Sequence, residues 1–158
     1  MSYIDRSLGD GERIIGRAYF HWLYTLRACL GLIASLIVFA AIAGYADGTN
    51  RAWLNVAGLV LVLLGLVDFL RLMIRKWTTE IGVTSHRFVK KTGFIALHTN
   101  EIALPNIEGV RVQQGILGRV FGFGQIVIEG TGVDAVRNPT IADPVAFRRA
   151  IETAKGMK

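Results

Sequence analysis

Two apolar runs joined by four turn-forming residues limit this chain more than any other feature. The first spans residues 22–45 and is uncharged from 28 to 46; the second spans 52–74 and is uncharged from 56 to 67. A helix rises about 1.5 Å per residue, so about 20 residues cross the roughly 30 Å hydrocarbon layer of a bilayer. Asp47-Gly48-Thr49-Asn50 leaves room only for a tight antiparallel connection. The expectation is a transmembrane hairpin, with helices over 22–46 and 52–75 and an external turn over 47–51. Trp22, Tyr24 and Tyr45 stand near the span ends, where amphipathic rings favour the headgroup zone. Arg27 lies close enough to the start to snorkel there. The 52% hydrophobic content and mean hydropathy of +0.42 agree with a membrane-embedded segment rather than an ordinary soluble domain.

Within the second run, Asp68 and Arg71 are three residues apart and share a helix face, which predicts an ion pair near the interface. Because carboxylates within a membrane are costly, the same two residues are candidates for a polar contact between subunits or for handling a proton. Gly31 and Ser35, Ala40 and Gly44, and Gly58 and Gly65 permit close helix approach, within the hairpin or between protomers. The turn carries only Arg51 and Asp47. The flanks carry Arg6, Arg13, Arg17 and Arg27 on one side and Arg71, Arg75, Lys76, Arg87, Lys90 and Lys91 on the other. The positive-inside rule therefore places both termini on the cytoplasmic side of the membrane.

Residues 1–21 do not read as a secretory leader, because Asp5, Asp10 and Glu12 precede any apolar run. They are expected to form a cytoplasmic segment in which 12–20 are either a strand or an interfacial stretch. Residues 76–158 read as a separate cytoplasmic domain. Trp77, Ile81 and Val83 stand at strand spacing; Ser85-His86 is a turn, 87–92 the returning strand, and Gly93 a turn into 94–97. The strand pattern resumes at 101–104, breaks at Pro105-Asn106, and returns at Ile107, Val110 and Val112. Residues 115–124 have their glycines where a compact turn or short helix belongs. Further strands are expected at 125–129 and 136–141, with Pro139 marking the last as an edge and 130–134 as a turn. Asp143 is a good N-cap and Pro144 fits the first helical position. Val145, Phe147, Ala150, Ile151 and Ala154 make the apolar stripe of a terminal helix. The fold class is thus a β-dominated α+β domain following a two-helix hairpin.

Several of these stretches resemble the bacterial pleckstrin-homology-like (PH-like) family of membrane-flanked proteins. They are Val83-Thr84-Ser85-His86-Arg87, Gly93 after the basic pair, 102–104, and Ile107-Glu108-Gly109-Val110-Arg111-Val112-Gln113-Gln114. The likeness continues through Leu117-Gly118-Arg119-Val120-Phe121-Gly122-Phe123-Gly124, Gly130-Thr131-Gly132, and Asp143-Pro144 with Phe147-Arg148. The resemblance covers about half the chain and implies a partly open β-barrel capped by a C-terminal helix, shown at the cytoplasmic face. In the well-studied relatives a basic first hairpin binds phosphoinositides. Arg75, Lys76, Arg87, Lys90 and Lys91 put positive charge in that region and are the candidate lipid-headgroup contacts, although they do not form a complete headgroup motif.

Charge and chemistry narrow the function classes. Net charge is +6, from 18 Lys and Arg against 12 Asp and Glu, which suits anionic headgroups at about 1 kcal/mol per well-placed cation. No recognition helix or RNA platform motif accompanies that charge, so no nucleic-acid partner is expected. Cys29 stands alone, which excludes an internal disulfide, and His21, His86 and His98 have no metal-ligand spacing. Ser85 beside His86 is expected to be a turn pair whose side chains do not face each other. Gly122-Phe123-Gly124 lacks the third glycine and the helix of a dinucleotide loop. No metal, cofactor or catalytic residue is expected. The reading is a non-catalytic, membrane-anchored binding or scaffold protein, self-associating and contacting anionic lipid or a cytoplasmic protein. The alternative is an accessory subunit of a transporter or membrane-remodelling complex, acting through Asp68 and Arg71.

Overall fold

The computed structural model describes residues 2–45, 51–94 and 96–157. The turn expected at 47–50 and residue 95 of the segment expected at 94–97 lie outside them. The chain divides into two compact units, one of Trp22–Lys76 and the other of Met1–His21 with Trp77–Lys158.

The first unit is a helical hairpin of α2 (Trp22–Tyr45) and α3 (Arg51–Thr78), each long and apolar enough to cross a membrane. Its helices meet at glycines. A Cβ on Gly58 would lie 2.7 Å from Phe39 Cδ2, and one on Gly65 would lie 2.5 Å from Ser35 Oγ. Gly58 opposite Phe39 and Gly65 opposite Ser35 make the helices antiparallel. The Gly58–Gly65 spacing of two helical turns thus serves contact within the hairpin. Gly31 and Gly44 have no neighbour within 4 Å of a would-be Cβ. Helix α3 runs three residues past the expected boundary, so Trp77 and Thr78 are helical and the strand expected over 76–84 is shortened. Extending a formed helix costs little, and cross-strand partners begin only at Glu80.

The described residues of the second unit form eight strands in two antiparallel sheets. The first sheet has the order β1-β2-β3-β4, formed by Ile14–Ala18, Glu80–Thr84, Arg87–Thr92 and His98–Ala103. The second runs β5-β6-β7 over Ile107–Gln113, Phe123–Gly130 and Val133–Arg137; β8 (Ile141–Ala142) also pairs with β6. Residues 12–20 therefore contribute a strand, and the N-terminal segment belongs to the same unit as the C-terminal domain. Strand β1 pairs with β2 across the whole helical hairpin, with Ala18 opposite Ile81 and Arg17 opposite Gly82. The expected turn at 130–134 narrows to Thr131-Gly132. Pro139, which cannot donate to a ladder, separates β7 from β8 where one strand was expected.

Ile81, Val83 and Phe88 of the first sheet face Ile126, Ile128 and Ile141 of the second, and α5 (Pro144–Gly156) closes this core with Phe147, Ile151 and Ala154. The Asp143 carboxylate accepts from Ala146 N at 3.0 Å and caps α5, with Pro144 at the first helical position. Val145 does not join the expected stripe; it is exposed and Pro144 is buried in its place. Alternation along β2 and β3 sends Gly82 and Val89 to the outer face of the first sheet. There α1 (Tyr3–Arg6) lays Ile4 over Gly82, whose missing Cβ would lie 2.9 Å from Ile4 Cδ1. Glu80 fixes α1 by accepting from Tyr3 N at 3.1 Å, Ile4 N at 3.3 Å and the Ser2 hydroxyl.

Between β5 and β6 the chain makes the single-turn helix α4 (Ile116–Phe121), which ends on Gly122 at φ 70°. A Cβ on Gly118 would stand 2.5 Å from the Phe123 carbonyl oxygen, whereas one on Gly115 would meet nothing within 4 Å. Gly118→Ala should therefore destabilise the β unit by about 1–3 kcal/mol through forced backbone displacement. Gly115→Ala should be close to neutral. Thermal unfolding of the two variants in detergent, followed by circular dichroism in the β region, measures the difference.

Candidate functional site

The charged residues of the β unit sort into two groups with different work. Arg87 begins β3 and lies at the end of the sheet where β1 starts and β2 finishes. Its guanidinium pairs with Glu12 at 3.0 Å and Glu101 at 2.8 Å and donates to the Ser7 carbonyl. Thr84 Oγ1, in the adjacent turn, accepts from His86 N and Arg87 N and contacts Glu12. The Glu12 side chain is only 5% exposed. Burial alone would raise its pKa, but hydrogen bonds from Gly9 N, Thr84 and Arg87, with the Arg87 charge, hold it below the ordinary carboxylate value. Arg87 is correspondingly raised, first by its hydrogen bond to Glu12 and against burial. All three guanidinium nitrogens of Arg87 donate to groups of the protein, although the side chain is partly exposed.

The other candidate cations are placed differently. Lys90 and Lys91 lie near the opposite end of β3, paired with Ile81 and Glu80 of β2. Lys90 donates to the Arg137 carbonyl. Lys91 is half-buried on the face of Glu80, and its charge helps to keep Glu80 ionised: burial raises Glu80, and Ser2, Tyr3 N, Ile4 N and Lys91 together lower it. Arg75 and Lys76 belong to the last turns of α3, where Lys76 donates to Thr25 Oγ1 at 2.6 Å. The five cations proposed as one basic patch thus divide, with Arg87 apart from Lys90 and Lys91 within the β unit. Asp68 and Arg71 are both exposed on α3 and form no ion pair with each other. Asp68 instead borders a shallow groove of about 370 Å³ between α2 and α3, with Gly31, Ser35 and Gly65.

A cleft of about 720 Å³ opens at the Arg87 end of the β unit, between the Ser85-His86 turn, the 3-10 turn at Leu104–Asn106 and the last turn of α5. Leu104, Pro105, Ala154 and Met157 give it apolar walls, and Lys155 reaches across its edge to the Ile107 carbonyl at 2.8 Å. Ser85 and His86 do face each other, contrary to expectation, with Ser85 Oγ 3.0 Å from His86 Nδ1. The β-turn brings the two side chains to one side. Ser85 Oγ also accepts from Arg13 N at 3.2 Å, so it is tied into the strand edge. No carboxylate among the described residues orients His86. His21 is buried against the Phe123 ring, with centroids 5.2 Å apart, and His98 is exposed at the start of β4. No group of three His, Cys, Asp or Glu among the described residues is arranged to hold a metal ion.

Comparison with known proteins gives one finding. A family model described as bacterial PH domain matches residues 23–155, which takes in both long helices and the β unit from β2 to α5 but not α1 or β1. The chain belongs to the bacterial PH domain family. Neither curated proteins nor solved structures yield a match. The family match extends well beyond the half of the chain whose residues carried the resemblance. Two sheets around one core with a closing C-terminal helix agree with a PH-like fold, and such domains typically act as binding modules.

The two depressed carboxyls set a pH dependence. Glu12 and Glu80 titrate below the ordinary carboxylate value of 4.5 in the folded chain, so the unfolded chain takes up their protons first as pH falls. Their stabilisation is complete above that value and drains away as the pH drops through the folded pKa values. Urea midpoints should fall below pH 4.5 and the decline should be shallower in Glu12→Gln. Arg87→Met at neutral pH should cost about 2–3 kcal/mol, at the low end for a broken buried pair because the guanidinium is partly exposed.

Proposed function

We propose that this bacterial PH domain protein is a non-catalytic binding or scaffold module held at a membrane by its own helical hairpin. The supporting observation is that the two apolar helices are inserted between adjacent, hydrogen-bonded strands β1 and β2. Both ends of the hairpin therefore join the β unit at neighbouring strands. Only Thr79 separates the end of α3 from the start of β2. In this reading Lys90, Lys91, Arg75 and Lys76 meet anionic headgroups at about 1 kcal/mol each, while Arg87 serves the fold. Both termini and the β unit lie in the cytoplasm, by the excess of Arg and Lys outside the connecting turn.

The exposed sides of α2 at Gly31 and Gly44 suit close approach of another apolar helix and support self-association. The groove at Asp68 supports a second reading, in which a partner's transmembrane helix docks with a polar group against that carboxylate. Replacing Asp68→Leu should then abolish co-purification of the partner while leaving the amount of protein in the membrane unchanged. Equal recovery of the partner removes this second reading.

Two measurements test the main reading. The protein should remain in the membrane pellet after an alkaline carbonate wash. A single cysteine introduced by Gly48→Cys, with Cys29→Ser, should react with a membrane-impermeant maleimide in intact spheroplasts. A Ser2→Cys counterpart should react only after lysis. Release by carbonate overturns the anchor, and labelling of Ser2→Cys in intact spheroplasts overturns the orientation.

A further inference from the structure

The β unit exposes its large apolar side chains almost entirely at one end. Ten such residues are exposed among the described residues of the unit, and of these only Met157 lies at the cleft end. On α4, Ile116 is 83% exposed, Leu117 65%, Val120 72% and Phe121 50%. On the β3–β4 loop, Phe94 is 74% exposed and Leu97 58%.

Strand pairing shows that these two loops share an end. Lys91 pairs with Glu80 and Thr92 with His98, so the β3–β4 loop lies beside the start of β2, where the chain enters the unit. Phe20 bridges to Ile141, Ala142 N donates to the Tyr19 carbonyl, and Ala142 pairs with Phe123. The end of α4 therefore lies beside the residues through which the chain leaves the unit. Both apolar tips flank the exit at His21 and the return at Trp77.

Charge at this end is matched to an anionic surface. Lys90, Lys91 and Arg119 bring cations, and Arg119 makes no ion pair among the described residues. Two carboxylates lie nearby, fewer than these cations: Glu80 accepts from the first turn of α1 and Asp143 from the first turn of α5. Tyr19 and Trp77, both exposed, have the amphipathic rings favoured at a lipid–water boundary. Gly118 and Gly122 hold α4 in a tight projecting turn, which presents Ile116, Leu117 and Val120 outward on a rigid base.

We propose that α4 and the β3–β4 loop form a two-pronged lipid-contact surface that inserts into the headgroup–acyl boundary of the membrane from which the helical hairpin emerges. This rests on the membrane-held reading and deepens it. An apolar tip ringed by cations binds by area and by attraction to anionic lipid together. The β unit is then docked at three places: at its two chain connections and at these prongs.

Spin labels on the full chain test this in mixed phosphatidylcholine–phosphatidylglycerol vesicles. On a Cys29→Ser background, labels are placed singly at Phe94→Cys, Leu117→Cys, Glu152→Cys and Leu36→Cys, all exposed positions. Power saturation should show labels at 94 and 117 several-fold more accessible to oxygen than to a water-soluble nickel chelate, approaching the label at 36. The label at 152 should show the reverse. Labels at 94 and 117 open to the nickel chelate, with the label at 36 in lipid, overturn the prongs and leave the anchor standing. Labels at 94 and 117 shielded from both reagents also overturn the proposal, since a protein surface then covers them. A label at 36 open to the nickel chelate overturns the membrane-held reading itself.

Discussion

The pairing of β1 with β2 governs the rest of this structure. Antiparallel neighbours are ordinarily joined by a loop of two to five residues, yet here the loop has grown into two long helices. The register places Ala18 opposite Ile81 and Gly16 opposite Val83. Both ends of the hairpin are thereby fixed to adjacent strands about 5 Å apart. Loop-closure entropy rises only slowly with loop length, and α2 and α3 pack on each other through Gly58 and Gly65, which brings their far ends together. The helical insertion is tolerated because it closes its own loop.

That arrangement explains where the polar interactions of the β unit are concentrated. A strand supplied from before the insertion needs to be held at its free end, and the Glu12–Thr84–Arg87 cluster does this. Glu12 stands just ahead of β1, Thr84 ends β2 and Arg87 starts β3, so one buried carboxylate ties three strands at the end away from the hairpin. At the other end Glu80 anchors α1 across the outer face. The charge of Glu12 is matched by Arg87, that of Glu80 lies beside Lys91, and Arg119 adds a cation at the end where the chain departs. The same residues that fasten the fold leave the unit electrostatically asymmetric.

Sequence patterning made the local elements legible because each had a local cause. The ladder of β3, the capped start of α5 and both long helices follow from alternation, Asp143-Pro144 and apolar length. What escaped was whatever depended on a distant partner. The role of Arg87 was read from its nearness to Lys90 and Lys91 in sequence, but β3 spaces them along a strand, and Glu12 lies seventy-five residues away. Residues 12–20 were ambiguous for the same reason, since their partner strand comes after the entire hairpin. Ser85 and His86 meet because a β-turn overrides the usual divergence of neighbouring side chains. The exposure of α4 had a signal in Gly115-Ile116-Leu117-Gly118-Arg119-Val120-Phe121-Gly122. Large apolar residues set among glycines match neither the period of a buried strand nor the stripe of a buried helix.

An apolar residue exposed alone on a protein surface requires no explanation. Ile116, Leu117 and Val120 are a different case, because they project together from a turn that Gly118 holds against the Phe123 carbonyl. The turn could have been closed by polar residues with no loss to the core, since the core is completed by Ile126, Ile128 and Ile141 without them. Water would disfavour that arrangement at roughly 25 cal/mol for each Å² of apolar surface, whereas a bilayer boundary favours it. Met157, at the cleft end, stands singly and at a chain end, where no such inference applies. The asymmetry between the two ends of the β unit follows its topology: the exposed apolar tips lie at the end where the chain leaves for the hairpin and returns from it.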